Sequence, residues 1–300
     1  MTQADPLPPG PLRPAIDTLL RADPPRATRF IVTIYGDVVE PRGGLLWMGT
    51  LIEICAAHGI SETLVRTAVS RLVAAGKLSG ERAGRRSYYR LTPAARTEFT
   101  AAARVLFAPP PVADGWLIAP AAPHGLAMDL LAPGWAALGD GVLIGPDRAD
   151  LPPAPGPILR ASPFSGSEEL PALAARLWDL AGLAEAYGGF LDRFAPVADE
   201  LAGPGTLPGA TSLAVRLLLV DRYRAVVLRD PRLPAAALPA GWPGQAARAL
   251  FVRLYLRLAR SADSHVGHAF HAANGLLPAT SEATALRLDR LAAEAASLEF

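Results

Sequence analysis

In this sequence of 300 residues, polar side chains suited to binding a partner lie along one face of a helix predicted between Ser61 and Gly76. Its apolar face is predicted to form one buried stripe of six residues at helical spacing: Leu64, Val65, Ala68, Val69, Leu72 and Val73. Its polar face carries hydroxyls, a carboxylate and arginines: Ser61, Glu62, Thr63, Arg66, Thr67, Ser70 and Arg71. Such side chains have the donors and the length to reach base edges in a DNA major groove. The chemistry expected here is therefore recognition rather than catalysis.

A glycine-containing hairpin directly after this helix supplies a second group of candidate residues. Two short strands are predicted at Lys77–Glu81 and Ser87–Leu91, on either side of Gly84. The residues on and beside this hairpin that we expect to contact DNA are Arg82, Arg85, Arg86, Tyr88 and Arg90. Arginines in such a position suit phosphate oxygens or a minor groove. A polar helix face or a basic hairpin alone is more often a solvated surface, whereas three helices, a hairpin and a fourth helix in this order favour a winged helix-turn-helix.

Local start and stop signals define the elements that must position these side chains. The first helix is predicted from four apolar residues at helical spacing, Phe30, Ile31, Ile34 and Val38. The segment 41–44, Pro-Arg-Gly-Gly, ends it, and a second helix is predicted over Leu45–Ala57. Ser61 is a suitable N-cap for the third helix and Gly76 a suitable stop, while Thr92, followed by proline, opens the fourth.

The predicted fold class is mainly α with a small β content, an α+β chain of successive domains. Residues 1–25 are Pro-rich and aperiodic and predict a flexible leader, and residues 26–108 predict the winged-helix DNA-binding domain. Residues 109–167 contain twelve prolines and predict a small middle domain or linker. Residues 168–300 are rich in Ala and Leu and predict a helical C-terminal domain for effector binding or dimerisation.

Shorter elements are predicted within the last two of these regions. In the middle region we expect strands at Trp116–Ala119 and Gly141–Ile144, with a short helix at Gly125–Leu131 between them. In the C-terminal region we expect helices near 168–182, 184–202, 210–229, 244–262 and 281–298.

Charge is distributed unevenly along the chain, although its net value is only +1. Residues 26–104 carry a net charge of +6, whereas residues 105–300 carry −4. A basic block beside an acidic body indicates one module that binds a polyanion. No secretion signal and no apolar run long enough for a bilayer are present, so we expect a cytoplasmic protein that does not contact membranes.

Candidate chemistry of other kinds is weaker. The single cysteine, Cys55, excludes an internal disulfide, and we find no phosphate loop, nucleophile elbow or HExxH motif. Three histidines, His265, His268 and His271, could in principle hold a metal with Asp263. The outer two lie about 120° apart on an ideal helix, and Gly267 weakens a helix there, so no metal or cofactor is expected. A nuclease would need carboxylates placed for a metal, and the spacing of Asp114, Asp129 and Asp140 does not indicate such a site. The chain is therefore not expected to be an enzyme.

Two separated stretches resemble one family. The first contains Tyr35-Gly-Asp-Val, His58-Gly-Ile-Ser-Glu, Val65-Arg-Thr-Ala-Val-Ser-Arg-Leu-Val and Gly84-Arg-Arg-Ser-Tyr-Tyr-Arg-Leu-Thr-Pro. The second contains Trp178-Asp-Leu, Tyr187, Phe190-Leu, Leu228-Arg-Asp-Pro-Arg-Leu-Pro and Leu238-Pro-Ala-Gly-Trp-Pro-Gly. Both stretches, about 27–108 and 168–262, resemble the PaaX family of bacterial transcriptional repressors of phenylacetic acid catabolism.

The resemblance implies a homodimeric repressor on double-stranded operator DNA, released by an aryl-CoA thioester such as phenylacetyl-CoA. It also implies a middle domain of Cas2-like, ferredoxin-type fold. Arginines suit the phosphates of CoA and aromatic residues could line an aryl pocket, so the candidate effector residues are Trp178, Tyr187, Arg222, Arg224, Arg229, Arg232 and Trp242. The same residues could instead belong to the core or cap helices. The alternative function is a winged-helix protein-interaction scaffold with no specific operator.

Overall fold

The computed structural model describes residues 13–22, 24–120, 134–203 and 205–298, and the chain divides into two compact units. Unit 1 comprises Met1–Ala108, Phe190–Arg224 and Arg248–Phe300, and unit 2 comprises Pro109–Gly189 and Ala225–Ala247. This division differs from the linear succession of domains expected from the sequence, because most of the C-terminal helical residues pack in the same unit as the winged helix.

Helices form most of the described structure. They are α1 (Pro14–Arg21), α2 (Ala27–Ile34), α3 (Met48–Ala56), α4 (Glu62–Ala74), α5 (Pro93–Phe107), α6 (Leu170–Leu177), α7 (Leu180–Leu201), α8 (Gly209–Val227), α9 (Gly244–Ala269) and α10 (Glu282–Leu298). The strands are β1 (Leu46–Trp47), β2 (Leu78–Ala83), β3 (Arg86–Leu91), β4 (Trp116–Ala119), β5 (Ala136–Gly139), β6 (Val142–Pro146), β7 (Leu159–Ala161), β8 (His271–Ala272) and β9 (Gly275–Leu276). The predicted α+β class is confirmed.

The winged helix of unit 1 consists of α2–α5 and a sheet in the order β1-β3-β2. Its core contains the stripe predicted for the first helix, and Phe30, Ile31, Ile34 and Val38 are all fully buried. That helix does not end as a regular α-helix, since it continues as a π-turn over Tyr35–Val39 and a 3-10 turn over Glu40–Arg42. The wider turn changes the helical register and places Asp37 in the interior.

The helix that carries the polar face is capped as its sequence predicts. The Ser61 hydroxyl accepts a hydrogen bond from the backbone N–H of Leu64, and Gly76 adopts a positive φ of 65° after the last turn. The N–H of Lys77 donates to the carbonyl of Leu72, and that of Gly76 donates to the carbonyl of Val73, which together form a Schellman motif. Both ends of α4 are thereby capped, and the C-terminal motif fixes where the following hairpin begins.

Two sequence predictions about the N-terminal half are wrong. The leader is not without structure, because Pro14–Arg21 is a helix with Ile16 and Leu19 buried, and the carboxylate of Glu200 accepts hydrogen bonds from its first amides. The second helix does not start at Leu45, because Leu46–Trp47 pairs as a strand with β3. Pairing with β3 outweighs the helical preference of those residues, because helix propensity differs by less than about 1 kcal/mol per residue.

Unit 2 contains an antiparallel sheet in the order β5-β6-β4-β7. In chain order this is 2-3-1-4, the strand order of a ferredoxin-like βαββαβ unit, in agreement with what the family resemblance implies. The connection 147–158 between β6 and β7 contains no helix. The short helix predicted at Gly125–Leu131 lies outside the described residues. A small core of Trp135, Leu143, Leu151 and neighbouring alanines covers one part of this sheet.

The C-terminal helices match their predicted places with shifted ends. The first breaks at Trp178, because α6 ends at Leu177, and α9 extends past Gly267 to Ala269. Among the described residues, no helix is long and apolar enough to cross a membrane.

Candidate nucleic-acid interface

The polar face of α4 lies at the surface of unit 1. All seven predicted residues of this face, Ser61, Glu62, Thr63, Arg66, Thr67, Ser70 and Arg71, are exposed. Glu62 and Arg66 form an i,i+4 ion pair with Arg66 Nη2 2.7 Å from Glu62 Oε1. The Thr67 hydroxyl donates to the carbonyl of Thr63 at 2.8 Å. The face is therefore ordered by its own helix while remaining open to a partner.

The buried stripe of α4 is narrower than its sequence predicts. Val65, Ala68, Val69 and Leu72 are buried against the neighbouring helices, but Leu64 is 54% exposed and Val73 is 40% exposed. Both lie about a quarter turn from the centre of the buried face, since successive residues are about 100° apart on a helix. Their inclusion in the core was wrong. The exposed surface of α4 thus has an apolar residue at each edge of its polar face.

The hairpin after α4 is longer than predicted, because β2 continues to Ala83 and includes Arg82. Ala83 pairs with Arg86, which leaves a two-residue turn. Gly84 occupies the first turn position with φ of 60°, as a type II′ turn requires. Arg85 takes the second turn position and is exposed at the tip of the hairpin.

An open groove of about 500 Å³ runs between α4 and the hairpin. Its apolar part includes Met48, Val69 and Val73, and its polar lining includes Arg66, Ser70, Glu81, Arg82 and Ser87. The wall on the hairpin side depends on Gly80, because a Cβ there would lie 2.9 Å from Cε1 of the Tyr89 ring. The groove therefore has two arginines in its lining and a ring packed across a glycine.

The remaining predicted wing residues differ in their surroundings. The guanidinium of Arg86 lies 4.6 Å from the centre of the Trp47 ring, and Arg90 Nη2 lies 3.1 Å from Glu81 Oε2 on the paired strand. Tyr88 is buried, with 4% of its surface exposed, so its inclusion among the DNA-contacting residues is contradicted. Its neighbours Ser87 and Tyr89 are half-buried, and its own ring lies in the core because β3 is the middle strand of the sheet.

A buried ion network holds the end of α2 in unit 1, and sequence analysis missed it. Asp37 is fully buried and contacts three side chains: Arg216 Nε lies 3.1 Å from Oδ2, Arg287 Nη1 lies 3.0 Å from Oδ1, and the Tyr255 hydroxyl donates to Oδ1 at 2.7 Å. Burial by itself raises the pKa of Asp37, but the guanidinium groups outweigh it and hold that pKa below its ordinary value. Only the charged residue inside an apolar helix pattern could have signalled this role.

A second carboxylate completes this network. Asp263 Oδ1 accepts from Arg42 Nη2 at 2.6 Å and from Arg216 Nη1 at 2.7 Å. Arg42 also donates from Nη1 to the carbonyl of Val38 and from Nε to that of Pro278. The residues that end the first helix of the winged helix are thereby joined to α8, α9 and the segment before α10.

Further polar contacts join the winged helix to α8. Arg29 donates to both carboxylate oxygens of the buried Asp221, at 3.0 and 2.6 Å. His58, at the end of α3, lies with Nδ1 2.8 Å from the carbonyl of Ile54 and Nε2 3.1 Å from that of Ala214. Burial lowers the pKa of His58. The winged-helix elements α2 and α3 are therefore joined to the C-terminal helix α8 in the same unit.

The candidate effector residues are not gathered in one unit. Arg222 and Arg224 belong to unit 1, where Arg224 Nη1 donates to the Thr33 hydroxyl at 3.3 Å. The other five, Trp178, Tyr187, Arg229, Arg232 and Trp242, belong to unit 2.

Part of the unit 2 group is brought together by hydrogen bonds and ring contacts. The buried Tyr187 donates to Asp230 Oδ2 at 2.7 Å and meets the Trp242 ring edge-on at 5.9 Å. The backbone N–H of Arg232 donates to Asp230 Oδ1, and the side-chain Nη1 of Arg232 donates to Asp150 Oδ2. Trp178 instead stacks on Trp116. Arg229 is exposed.

Histidines and carboxylates form no metal centre in the described part of the chain, where no group of three or more is suitably placed. His265 and His268 lie on α9, whereas His271 begins β8. Of the three aspartates considered for a nuclease, Asp129 lies outside the described residues.

Comparisons with known proteins identify relatives of this chain. The PaaX-like protein family matches residues 26–95, and the PaaX-like protein C-terminal domain matches residues 178–268. The chain is 32% identical to the transcriptional repressor PaaX of Escherichia coli K12, over 88% of this chain and 90% of that protein. It also resembles the solved structure of the uncharacterized protein Rv0674 from Mycobacterium tuberculosis, with 24% identity, a TM-score of 0.49, and coverage of 79% of this chain and 97% of that one. The extent of the E. coli match, together with the two family matches in the same order, shows that this chain belongs to the PaaX-like family.

Proposed function

We propose that this protein is a DNA-binding transcriptional repressor that reads an operator with α4 and holds the DNA backbone with the hairpin β2–β3. The observation that carries the proposal is the exposed polar face of α4 beside an arginine-rich hairpin. The name of the E. coli relative, a transcriptional repressor, supports the same function.

In this proposal α4 enters the major groove with its N-terminal half. Arg66 is the best candidate for base readout, because a guanidinium can donate two hydrogen bonds to one guanine edge. In the free protein Glu62 holds this guanidinium at 2.7 Å, which limits its rotamers before DNA binds. Thr63, Thr67 and Ser70 lie on the same exposed face and could donate to bases or phosphates.

The hairpin arginines are proposed to bind phosphates and to set the register of α4. Arg85 at the tip and Arg82 beside the groove are exposed, with no acidic residue between them in sequence. Arg86 is pre-oriented by the Trp47 ring, and Arg90 shares its charge with Glu81. Phosphate contacts position a protein on DNA without reading sequence, so these residues should raise affinity for all duplexes.

The decisive experiment measures binding to duplexes from the region upstream of the gene, by fluorescence anisotropy at several salt concentrations. Arg66→Ala should reduce the preference for the operator over random DNA, whereas Arg85→Ala should weaken both and lower the salt slope by about 0.9 for each phosphate that the variant no longer neutralises. Arg290→Ala, at an exposed position on α10, is the charge-matched control and should change neither. Affinity that is nearly independent of salt would refute the proposal and favour the protein-interaction scaffold.

We further propose a homodimer that binds two half-sites about 34 Å apart, the length of one helical turn of DNA. Light scattering with and without operator DNA tests the stoichiometry. A strict monomer on a single half-site would contradict it.

The regulated genes are proposed to be those of phenylacetate-type catabolism, with an aryl-CoA thioester as the releasing effector. The candidate residues of unit 2, Trp178, Tyr187, Arg229, Arg232 and Trp242, are the proposed effector set, and Arg229 is the exposed one among them. Phenylacetyl-CoA should release the operator from the wild-type protein, and Arg229→Ala should raise the concentration needed. Release that is unchanged in this variant would exclude Arg229, and no release at all would exclude this effector.

A further inference from the structure

The C-terminal hairpin β8–β9 lies beside β1 within unit 1. The His271 ring meets the Trp47 ring edge-on at 5.9 Å, and the His271 N–H points to the Thr50 hydroxyl at 3.4 Å. Trp47 belongs to β1, which pairs with β3 through Trp47 and Tyr88. The hairpin therefore sits at the free edge of the winged-helix sheet.

One indole ring joins this hairpin to the wing. The Arg86 guanidinium lies 4.6 Å from the centre of the Trp47 ring, and the His271 ring lies 5.9 Å from it. The distance between Arg86 and His271 therefore cannot exceed the sum of these two distances. That span corresponds to about three base steps of DNA at about 3.4 Å per step. A duplex whose phosphates contact Arg86 would therefore pass within reach of β8–β9.

The tip of β8–β9 has the exposure and the chemistry of a nucleic-acid contact. His271, Ala273, Asn274, Gly275 and Leu276 are all exposed. An asparagine amide carries donors and acceptors that suit a minor-groove edge or a phosphate, and the small neighbours allow close approach to a backbone. Among residues 271–276 there is no carboxylate to repel DNA.

We infer that β8–β9 is a second DNA-contacting hairpin, placed beside the first by Trp47, with Asn274 at its contact point. This inference rests on the proposed DNA-binding function and adds a contact from the C-terminal part of the chain. Trp47 acts as a positioning residue, because it touches Arg86 and His271 and holds both on one side of β1.

The test attaches an iron–EDTA reagent to a single thiol and maps the cleavage of bound operator DNA. The only native thiol, Cys55, is buried, and burial raises its pKa to about 12, so it should not react with the reagent. Asn274→Cys is the probe, Ala83→Cys on the first hairpin is the positive control, and Arg290→Cys on α10 is the negative control. All three parent positions are exposed.

We expect cleavage from the probes at positions 83 and 274 at neighbouring sites of the same operator, and none from position 290. Cleavage from position 83 without cleavage from position 274 would overturn the inference alone. No cleavage from either position, together with no gel shift, would overturn the proposed function and this inference with it.

Introducing a negative charge gives an independent readout. Asn274→Asp should weaken operator binding by about fivefold or more at low salt and by less at high salt, since added salt screens repulsion between the new carboxylate and phosphate. Ala292→Asp, at an exposed position on α10, is the matched control and should leave affinity unchanged. Equal affinity of the two variants would contradict contact at Asn274.

The positioning role of Trp47 has its own signature. In a Trp47→Leu background, Arg86→Ala should reduce operator affinity by a smaller factor than it does in the wild-type chain. In a Trp47→Phe background, the effect of Arg86→Ala should return to nearly its wild-type size. Independent effects of the two substitutions would show that the ring does not position Arg86.

Discussion

Replacing Asp37 by asparagine should destabilise unit 1 strongly, because it removes one of two carboxylates from a buried cluster with three arginines. The change keeps the shape of the side chain and alters its charge. Arg216 and Arg287 would then lie about 3 Å from a neutral amide, and the charge of the fully buried Arg216 has no access to solvent. Asp263 would be the carboxylate left to balance Arg42, Arg216 and Arg287.

The expected loss follows from these distances. At about 3 Å and an effective dielectric constant near 20, one such pair contributes about 5 kcal/mol before the cost of desolvation. Breaking a buried pair by removing one partner typically costs about 3–5 kcal/mol, because the remaining charge stays buried. We expect a loss in this range in the free energy of unfolding, measured by urea denaturation with circular dichroism at pH 7.

Asp199→Asn makes the same substitution at an exposed position of α7 and should cost less than about 0.5 kcal/mol. The pKa of Asp37 is depressed in the folded state, so its contribution is present above the ordinary value of 3.8 and is lost as the pH falls below it. The difference in free energy of unfolding between the wild-type protein and Asp37→Asn should therefore become smaller in acid. A variant within about 1 kcal/mol of wild type at pH 7 would refute the reasoning about buried charge.

Three further predictions follow from the burial of single residues. Leu72→Ala should lower the free energy of unfolding by about 2–5 kcal/mol, because it leaves a cavity in the core. Leu64→Ala, at an exposed position, should lower it by less than about 1 kcal/mol in the same urea titration. Equal losses would contradict the observed faces of α4. The pKa of His58 is lowered by burial, so stability should fall as the pH drops through 6.5, where the unfolded chain takes up a proton, and His58→Gln should show a smaller fall between pH 7.5 and 5.5. Tyr88→Phe should leave operator affinity unchanged within about twofold in an anisotropy assay, since the ring is buried, and a larger loss would restore Tyr88 to the interface.

Much of the winged helix could be predicted from local sequence alone. The caps of α4 and α5, Ser61 and Thr92, occupy their predicted positions and accept hydrogen bonds from the first-turn amides of Leu64 and Ala95. The turn glycine Gly84 adopts the positive φ that its place between two strands requires. These features depend on a few neighbouring residues, so sequence spacing is sufficient to locate them.

Errors arose where burial depends on residues far away in the chain. Whether Leu64, Val73 and Tyr88 are buried depends on which elements pack against their helix or strand. The periodicity of apolar residues does not show how much of a helix or strand face those elements cover. The helix at 14–21 was missed because its stability comes from buried Ile16 and Leu19 and from a carboxylate at position 200.

Local patterns in the sequence indicate the winged-helix elements, the charge excess of their segment and the family resemblance, because each depends on neighbouring residues. The folded structure was needed to show that Asp37 and Arg42 join the C-terminal helices through buried ion pairs, and that Trp47 contacts both Arg86 and His271. Arg42 and its partner Asp263, for example, are 221 positions apart in the chain. The attraction within such a pair is strong because water is excluded from its surroundings, and those surroundings exist only after folding.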